Sequence, residues 1–257
     1  MPNPHGMPIW YELMTSDQDA AQAFYERAAG WTISKPENGP PGVDYRMFSA
    51  GDSDVGGIMK MPDGAPMPPL WSAYIGVDDV DEATEKAQSL GASVHMPPMD
   101  IPNVGRFAFL ADPQGAVFYV MRGFSDEDSR SFEPETPGHC SWNELVTSDQ
   151  TAALDFYGKL FGWEKLGAMP MGDMGDYTFI GVGGTRIGAM MNARDAGAKP
   201  LWNFAFTVED IDKAKEAVEA GGGTITHGPV ELPEDSGWLI QMNDPQGAKL
   251  MFTGPRR

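Results

Sequence analysis

The chain carries one sequence pattern twice, and the two copies lie 132 residues apart. The run Trp-Tyr-Glu-Leu that begins at Trp10 returns as Trp-Asn-Glu-Leu at Trp142. The run Asp-Pro-Gln-Gly that begins at Asp112 returns at Asp244, with the same offset. A duplication this regular predicts two domains of similar size, and it marks the positions that both copies have kept.

Composition limits the classes of function. The chain has 257 residues and a formal net charge of −19, from 18 basic and 37 acidic residues. Because a nucleic-acid surface needs clustered Lys and Arg, no nucleic-acid partner is expected. No apolar run reaches the ~20 residues of a membrane span, and the first residues lack the features of a signal peptide. We therefore expect a cytoplasmic protein with no membrane partner, whose one cysteine, Cys140, is buried.

A shorter unit opens the first copy. A strand is predicted at residues 8–14, followed by a helix that Ser16 or Asp17 caps. Two further strands are predicted near residues 44–49 and 55–60.

A second unit of the same kind follows. It has a strand at residues 71–77 and a helix that begins at Asp79, with Glu82 as its capping-box partner. Strands near residues 105–110 and 116–121 flank the Asp-Pro-Gln-Gly turn. The second copy repeats both units, so the predicted order is βαβββ, four times.

The repeat also predicts the domain boundaries. Residues 1–123 form the first predicted domain and residues 139–257 the second. Residues 124–138 are rich in Ser, Asp, Glu and Pro, which is typical of a linker.

Four βαβββ units in two tandem domains resemble the vicinal oxygen chelate superfamily, which includes glyoxalase I, extradiol dioxygenases, fosfomycin-resistance enzymes and bleomycin-binding proteins. The resemblance is carried by the Thr-Ser-Asp-Gln helix start, the Phe-Tyr and Gly-Trp pairs after it, and the Asp-Pro-Gln-Gly turn. The Trp-x-Glu-Leu opening is similar to a tandem actinobacterial group that includes hydroxylases and a mycobacterial culture-filtrate antigen. The resemblance implies an α+β fold in which the two βαβββ modules of each domain form cupped mixed sheets.

The resemblance also implies where metal ligands would lie. Members of the superfamily place His, Gln or Glu on the strands that line the cup. The first matching position is Trp10 in one repeat and Trp142 in the other, the second is Ser72 and Asn203, and the third is Tyr119 and Met251. The fourth lies near Ile58 or Met59 in the first repeat and near Met190 or Met191 in the second. Since indole, phenyl and thioether groups do not replace N and O donors, neither a metal nor another cofactor is predicted.

Two glutamates are the candidate catalytic residues. Glu12 and Glu144 each follow a former ligand position by two residues, so each points to the same strand face as that position. Burial beside Trp10 or Trp142 would raise the pKa of the carboxyl and suit it to act as a general base. The alternative is a structural carboxylate that accepts a hydrogen bond from the backbone or from a tyrosine.

Aromatic residues form the second candidate group. Rings on the inner face of a cupped sheet can stack on a flat ligand, or can simply fill the space. The aromatic set is Trp10, Trp142, Tyr74, Tyr119, Phe118 and Trp202. The predicted ligand-binding residues are Trp10, Ser72, Tyr74, Tyr119, Trp142, Asn203 and Met251. His95 and His227, which also share the 132-residue offset, are expected to be solvated loop residues.

The sequence leaves open how the modules pair. If the domains exchange modules, as in glyoxalase-like members, Trp10 faces Asn203 and Met251. Without exchange it faces Ser72 and Tyr119. Because the tandem pair already mimics a dimer of single-domain members, a monomer or a weak homodimer is expected.

Three functions are compatible with the sequence. The first is a metal-free protein that binds a small apolar or aromatic molecule. The second is an enzyme of the lyase, dioxygenase or hydroxylase type that uses Glu12 or Glu144 as a base or as a rearranged metal ligand. The third is a scaffold with filled barrels, which predicts no cavity of the roughly 300 Å³ that a ligand site needs. Because the metal-ligand positions of the superfamily hold other residue types, the binding function is favoured over the enzyme and the scaffold.

Overall fold

The predicted βαβββ unit occurs four times in the computed structural model, which describes residues 3–36, 44–62, 64–65, 67–195 and 197–257. Module 1 contains β1 (Pro8–Thr15), α1 (Gln18–Ala28), β2 (Thr32–Ser34), β3 (Tyr45–Ala50) and β4 (Ser53–Lys60). Module 2 contains β5 (Leu70–Gly76), α2 (Val80–Ser89), β6 (Ser93–Ile101), β7 (Gly105–Ala111) and β8 (Val117–Gly123).

The second repeat has the same order. Module 3 contains β9 (Cys140–Thr147), α3 (Gln150–Phe161), β10 (Glu164–Pro170), β11 (Asp176–Val182) and β12 (Thr185–Asn192). Module 4 contains β13 (Leu201–Thr207), α4 (Ile211–Ala220), β14 (Thr224–Glu231), β15 (Trp238–Asn243) and β16 (Lys249–Gly254).

The strands form two eight-stranded mixed sheets. The first has the order β2-β3-β4-β1-β5-β8-β7-β6 and the second the order β10-β11-β12-β9-β13-β16-β15-β14. In each module the first strand pairs in parallel with the last, while the last three strands are antiparallel neighbours. The α+β fold with cupped mixed sheets is therefore confirmed.

Aspartate side chains start the helices, as the sequence predicts. Asp17 rather than Ser16 caps α1, because its carboxylate accepts the backbone N–H of Ala20 at 3.0 Å. Asp79 caps α2 in the same way, through the N–H of Glu82. These bonds satisfy backbone donors that have no partner inside the helix.

The chain divides into two compact units, and each unit combines parts of both repeats. One consists of Met1–Ile9, Ser72–Ser129 and Trp142–Trp202, and within it α2 packs on α3. The other consists of Trp10–Trp71, Arg130–Ser141 and Asn203–Arg257, and within it α1 packs on α4. The boundaries at residues 1–123 and 139–257 describe the duplication and remain a prediction.

A buried Trp–Tyr–Asp relay crosses the core of the first unit. Trp202 Nε1 donates to the Tyr157 hydroxyl at 3.1 Å, and that hydroxyl donates to Asp112 Oδ2 at 3.0 Å. The other oxygen of Asp112 accepts the backbone N–H groups of its own turn, including those of Gln114 and Gly115. The relay therefore links the Asp-Pro-Gln-Gly turn of one repeat to a helix of the other.

The second unit contains the matching relay. Trp71 Nε1 donates to the Tyr25 hydroxyl at 3.1 Å, which donates to Asp244 Oδ2 at 3.0 Å. Burial raises the pKa of both carboxyls above the usual range, although the turn N–H groups and the tyrosine oppose this shift. The motifs that both copies kept are thus the parts of one core interaction.

The structure corrects two sequence expectations. Phe118 and Trp202 pack on Tyr157, at ring-centroid distances of 5.5 and 5.6 Å, because strand alternation turns Phe118 away from the face that carries Tyr119. The exposed His95 and His227 lie in strands β6 and β14 rather than in loops.

Two other expectations concern burial and membranes. Cys140 is buried, as predicted. In the part of the chain that the structure describes, no helix is both long and apolar enough to cross a membrane.

We expect Tyr157→Phe to lower the free energy of unfolding by about 1–3 kcal/mol, because it leaves a buried indole N–H and a buried carboxylate each short of one partner. Urea unfolding followed by circular dichroism measures this loss. Tyr25→Phe should give a loss of similar size. Unchanged midpoints in both variants would show that the relays do not stabilise the core.

Candidate functional site

Each repeat also contains a relay of Trp, Tyr and Glu. In the first repeat it lies on the face of β1 that points away from the core residue Tyr11. In β1, Tyr11 is fully buried against the ring of Phe204, at a centroid distance of 5.2 Å. Trp10 and Glu12 alternate with it and therefore lie on the other face. There, Trp10 Nε1 donates to the Tyr45 hydroxyl at 2.9 Å, and that hydroxyl donates to the Glu12 carboxylate.

The second repeat contains the same relay. Trp142 Nε1 donates to the Tyr177 hydroxyl at 2.7 Å, and Tyr177 donates to Glu144 Oε2, also at 2.7 Å. Each relay holds a half-buried indole and a buried carboxylate in a fixed arrangement. The structure thus brings together the predicted pairs Trp10–Glu12 and Trp142–Glu144.

The last residue of the Thr-Ser-Asp-Gln motif positions the relay tyrosine. Gln18 begins α1, and its side-chain amide donates to the backbone carbonyls of Asp44 at 2.6 Å and Ile58 at 3.0 Å. These bonds hold the start of β3 against β4. Tyr45 follows Asp44 and is the first residue of β3. In the second repeat the same bonds join Gln150 to the carbonyls of Asp176 and Met190.

Burial and the glutamate charge decide which relay group carries the proton. Burial, followed by the charge of Glu12, raises the pKa of the Tyr45 phenol well above its ordinary value of 10. Burial and then Glu144 raise the pKa of Tyr177 in the same direction. At neutral pH the phenols are therefore protonated donors, and the carboxylates are their acceptors.

The surroundings of the two relays differ. In the first, Tyr45 lies across Gly57, where an added Cβ would overlap the phenol. In the second, Ala189 pairs with Glu144 at the corresponding register position. There, Phe179 contacts Trp142 edge to face, at a centroid distance of 6.1 Å.

The other predicted ligand-binding residues lie on the first and last strands of modules 2 and 4. Tyr74 stacks on Tyr119 at a centroid distance of 4.1 Å and an interplanar angle of 4°. Ser72 is fully buried, and within the described ranges its Oγ has no hydrogen-bond partner. Asn203 is half-buried, and Met251 is buried.

Two features of the site were not predicted from the sequence. Tyr45 and Tyr177 link each tryptophan to its glutamate. Gln18 holds the backbone beside Tyr45. The available signal was the repeated pair Asp-Tyr at Asp44 and Asp176, which recurs at the same 132-residue offset.

The donor groups at the superfamily ligand positions can be compared with the needs of a divalent metal. Trp10 and Trp142 offer indole N–H groups that already donate to tyrosines and have no free lone pair. Ile58 and Met190 are fully buried and provide no oxygen or nitrogen side-chain donor. In the described ranges, no three His, Cys, Asp or Glu residues lie close enough to hold a metal ion.

Comparisons with known proteins agree with this architecture. The family model "Glyoxalase/Bleomycin resistance protein/Dioxygenase superfamily" matches the chain twice, over residues 8–120 and 136–252. CFP32 of Mycobacterium tuberculosis, provisionally named a glyoxylase, is 35% identical over 246 residues, which cover 95% of this chain and 92% of the relative. The anthracycline biosynthesis protein DnrV of Streptomyces peucetius is 31% identical over 258 residues, which cover 95% and 91%.

Two solved structures are similar in fold. A variant of homoprotocatechuate 2,3-dioxygenase from Brevibacterium fuscum has a TM-score of 0.70 at 15% identity, and the match covers 100% of this chain and 73% of the dioxygenase. The Mn(II)-bound glyoxalase from Novosphingobium aromaticivorans has a TM-score of 0.67 at 16% identity, with coverage of 100% and 84%. At these identities the likeness concerns the fold alone.

We expect Gly57→Ala to destabilise the chain by about 1–3 kcal/mol, because the new methyl group displaces the Tyr45 ring from its relay. The matched change in the second repeat, Ala189→Gly, should cost only about 0.5–1 kcal/mol of backbone entropy. Thermal unfolding of both variants measures the difference. Equal losses would contradict the close packing of Tyr45 on Gly57.

Alkaline titration should show that the relay tyrosines resist ionisation in the folded chain. Tyr25, Tyr45, Tyr157 and Tyr177 all have a pKa raised above 10, so four of the seven tyrosines should stay protonated in the folded chain. Since their folded pKa lies above the unfolded one, their stabilisation is complete below pH 10 and is lost as the pH rises further. Absorbance at 295 nm should show them ionising only when circular dichroism reports unfolding. Ionisation of all seven near pH 10 in the folded chain would contradict this.

Proposed function

This chain belongs to the glyoxalase/bleomycin resistance protein/dioxygenase superfamily, and we propose that it binds a small, flat organic molecule without the metal of that superfamily. The Trp–Tyr–Glu relay is the observation that carries the proposal. An indole held in one orientation offers a surface for stacking. A carboxylate beside it accepts a hydrogen bond from a ligand hydroxyl or N–H group.

The donor chemistry supports binding without a metal. Superfamily metals need about three or four N or O donors that converge at 2.0–2.2 Å. Indole, aliphatic and thioether side chains occupy most of the corresponding positions, so the residues present do not fit such an ion. We therefore derive no chemical step through a metal.

The charge of the chain narrows the class of ligand. A net charge of −19 repels anions, and the relay carboxylates add to this effect locally. A neutral or cationic ligand is thus favoured over an acidic one. A relative that is named for anthracycline biosynthesis supports a polycyclic aromatic molecule with oxygen substituents.

An enzyme is the second candidate. The phenol of Tyr177 keeps its proton, so the carboxylate of Glu144 is the group available to remove a proton from a bound molecule. Glu12 is the corresponding group in the first repeat. This reading includes lyase, dioxygenase and hydroxylase types and predicts that glutamate-to-glutamine changes abolish turnover. A scaffold with filled barrels is the third candidate and predicts no ligand at all.

We expect 1,8-dihydroxyanthraquinone to bind with a Kd on the order of 100 μM or tighter. This value follows from a binding free energy of about 0.3 kcal/mol for each non-hydrogen atom of the ligand. Isothermal titration calorimetry on EDTA-treated protein measures this value. The sulfonated analogue anthraquinone-2-sulfonate is the matched anionic control and should bind more weakly. No binding of either compound would contradict the proposal.

The double variant Glu12→Gln, Glu144→Gln tests the relay. Replacing the charged acceptor by a neutral amide should weaken binding by about tenfold, since hydrogen bonds to charged groups contribute about 1.5–3 kcal/mol and those between neutral groups about 0.5–1.5 kcal/mol. Lys159→Ala, on the exposed side of α3, is a control that should bind like the unaltered chain. Unchanged affinity in a folded double variant would show that the ligand does not contact the relay. If the chain binds 1,8-dihydroxyanthraquinone without converting it, a binding protein is favoured. If the chain converts the compound and the double variant does not, the enzyme is favoured.

A further inference from the structure

An aromatic and basic surface adjoins the Trp–Tyr–Glu relay of the second repeat. Phe179 lies two residues after Tyr177 in β11 and therefore on the same face of the sheet. Its ring contacts Trp142 edge to face, at a centroid distance of 6.1 Å. The guanidinium carbon of Arg186 lies over the Phe179 ring, 4.5 Å from its centroid. All of these residues belong to the segment Trp142–Trp202, which lies within a single compact unit.

The rings of this surface reach solvent. Trp142 and Phe179 are half-buried, and Arg186 is exposed. The cross-strand neighbours of Phe179 are small, because Gly167 pairs with it on one side and Ala189 on the other. No bulky side chain therefore flanks the Phe179 ring at its own level of the sheet, and a ligand ring has access to it.

Charged groups of opposite sign border the two rings. The Glu144 side chain keeps 8% of its surface exposed, whereas Glu12 in the first repeat keeps 2%. The Glu144 carboxylate accepts hydrogen bonds, and the Arg186 guanidinium has several N–H donors and no acceptor. The surface thus suits a flat molecule that carries a hydrogen-bond donor at one side and an acceptor at another.

The first repeat differs at the corresponding positions. In the same strand register, Met47 replaces Phe179, and Asp54 replaces Arg186. Asp54 is exposed, and its carboxylate accepts a hydrogen bond from the Ser49 hydroxyl at 2.7 Å. Because a carboxylate repels the partial negative charge of a carbonyl oxygen, this end of the first relay disfavours the group that a guanidinium attracts.

We propose that Arg186 determines the ligand specificity of the second repeat by donating a hydrogen bond to a carbonyl oxygen of the ligand. A hydroxyl or N–H group of the same molecule donates to Glu144, and its ring contacts Trp142 and Phe179. The carbonyl belongs to a neutral molecule, because the net charge of −19 and the Glu144 carboxylate disfavour an anion. This inference rests on the proposed function and names the residue that selects its ligand.

Calorimetric titration with two related probes tests the role of Arg186. 1,8-Dihydroxyanthraquinone has a carbonyl group opposite its hydroxyl-bearing edge, and 1,8-dihydroxyanthrone, kept under argon, has a methylene group there. Arg186→Met keeps a flexible side chain near Phe179 but removes the N–H donors. It should weaken binding of the quinone by about three- to tenfold, because a hydrogen bond from a charged donor is lost. The affinity for the anthrone should stay the same.

Asp54→Asn is the matched control in the first repeat. It removes a charge at the corresponding exposed position, and it should leave the tighter binding event of the quinone unchanged. Circular dichroism establishes that each variant is folded, which the exposure of both side chains favours.

The outcomes separate this inference from the function on which it rests. Equal losses for the quinone and the anthrone would show that Arg186 acts through its contact with Phe179, and would overturn the inference. Unchanged binding of the quinone by Arg186→Met would overturn it as well. In both cases the quinone still binds to the unaltered chain, so the proposed function stands. Absence of binding by the unaltered chain would overturn the proposed function and the inference with it.

Discussion

The fold depends on a buried tyrosine hydroxyl that links a turn of one repeat to a helix of the other. In one compact unit, Tyr157 accepts from Trp202 and donates to Asp112, whose remaining oxygen is held by the backbone of its own turn. Buried polar groups are costly when they lack partners, so the three residues stabilise the core only as a complete set. The other unit repeats the arrangement around Tyr25. This explains why the Phe-Tyr pair and the Asp-Pro-Gln-Gly turn persist together in both copies.

Because these relays and their aromatic neighbours occupy the helix side of the strands, the opposite side is available for other chemistry. The side chain of Gln18 joins the backbone of Asp44, just before β3, to that of Ile58 in β4, and Tyr45 follows Asp44. The Tyr45 hydroxyl in turn accepts a hydrogen bond from Trp10 and donates one to the Glu12 carboxylate. The repeated motifs therefore have two separate roles: one group closes the core, and the other arranges an indole and a carboxylate.

Much of the fold could be predicted from the sequence, because helix caps, glycine stops and the repeat act locally. The order βαβββ and the cap at Asp17 follow from such signals. The strand positions of His95 and His227 were not predicted, since strands β6 and β14 contain proline just after each histidine and give a weak local pattern. The link from Trp10 to Glu12 could not be predicted either, because Tyr45 is distant in sequence and strand register alone brings it close. The glutamates remain proposed functional residues.

Native mass spectrometry tests the central claim, which is ligand binding without a superfamily metal, most directly. The chain would be purified without a polyhistidine tag, incubated with Zn²⁺, Ni²⁺, Fe²⁺ or Mn²⁺, and mixed with 1,8-dihydroxyanthraquinone in the presence or absence of EDTA. The account predicts a complex of chain and ligand whose abundance does not change with metal or chelator. A stoichiometric metal adduct on which ligand binding depends would contradict the account and make Glu12 and Glu144 the first residues to consider as ligands.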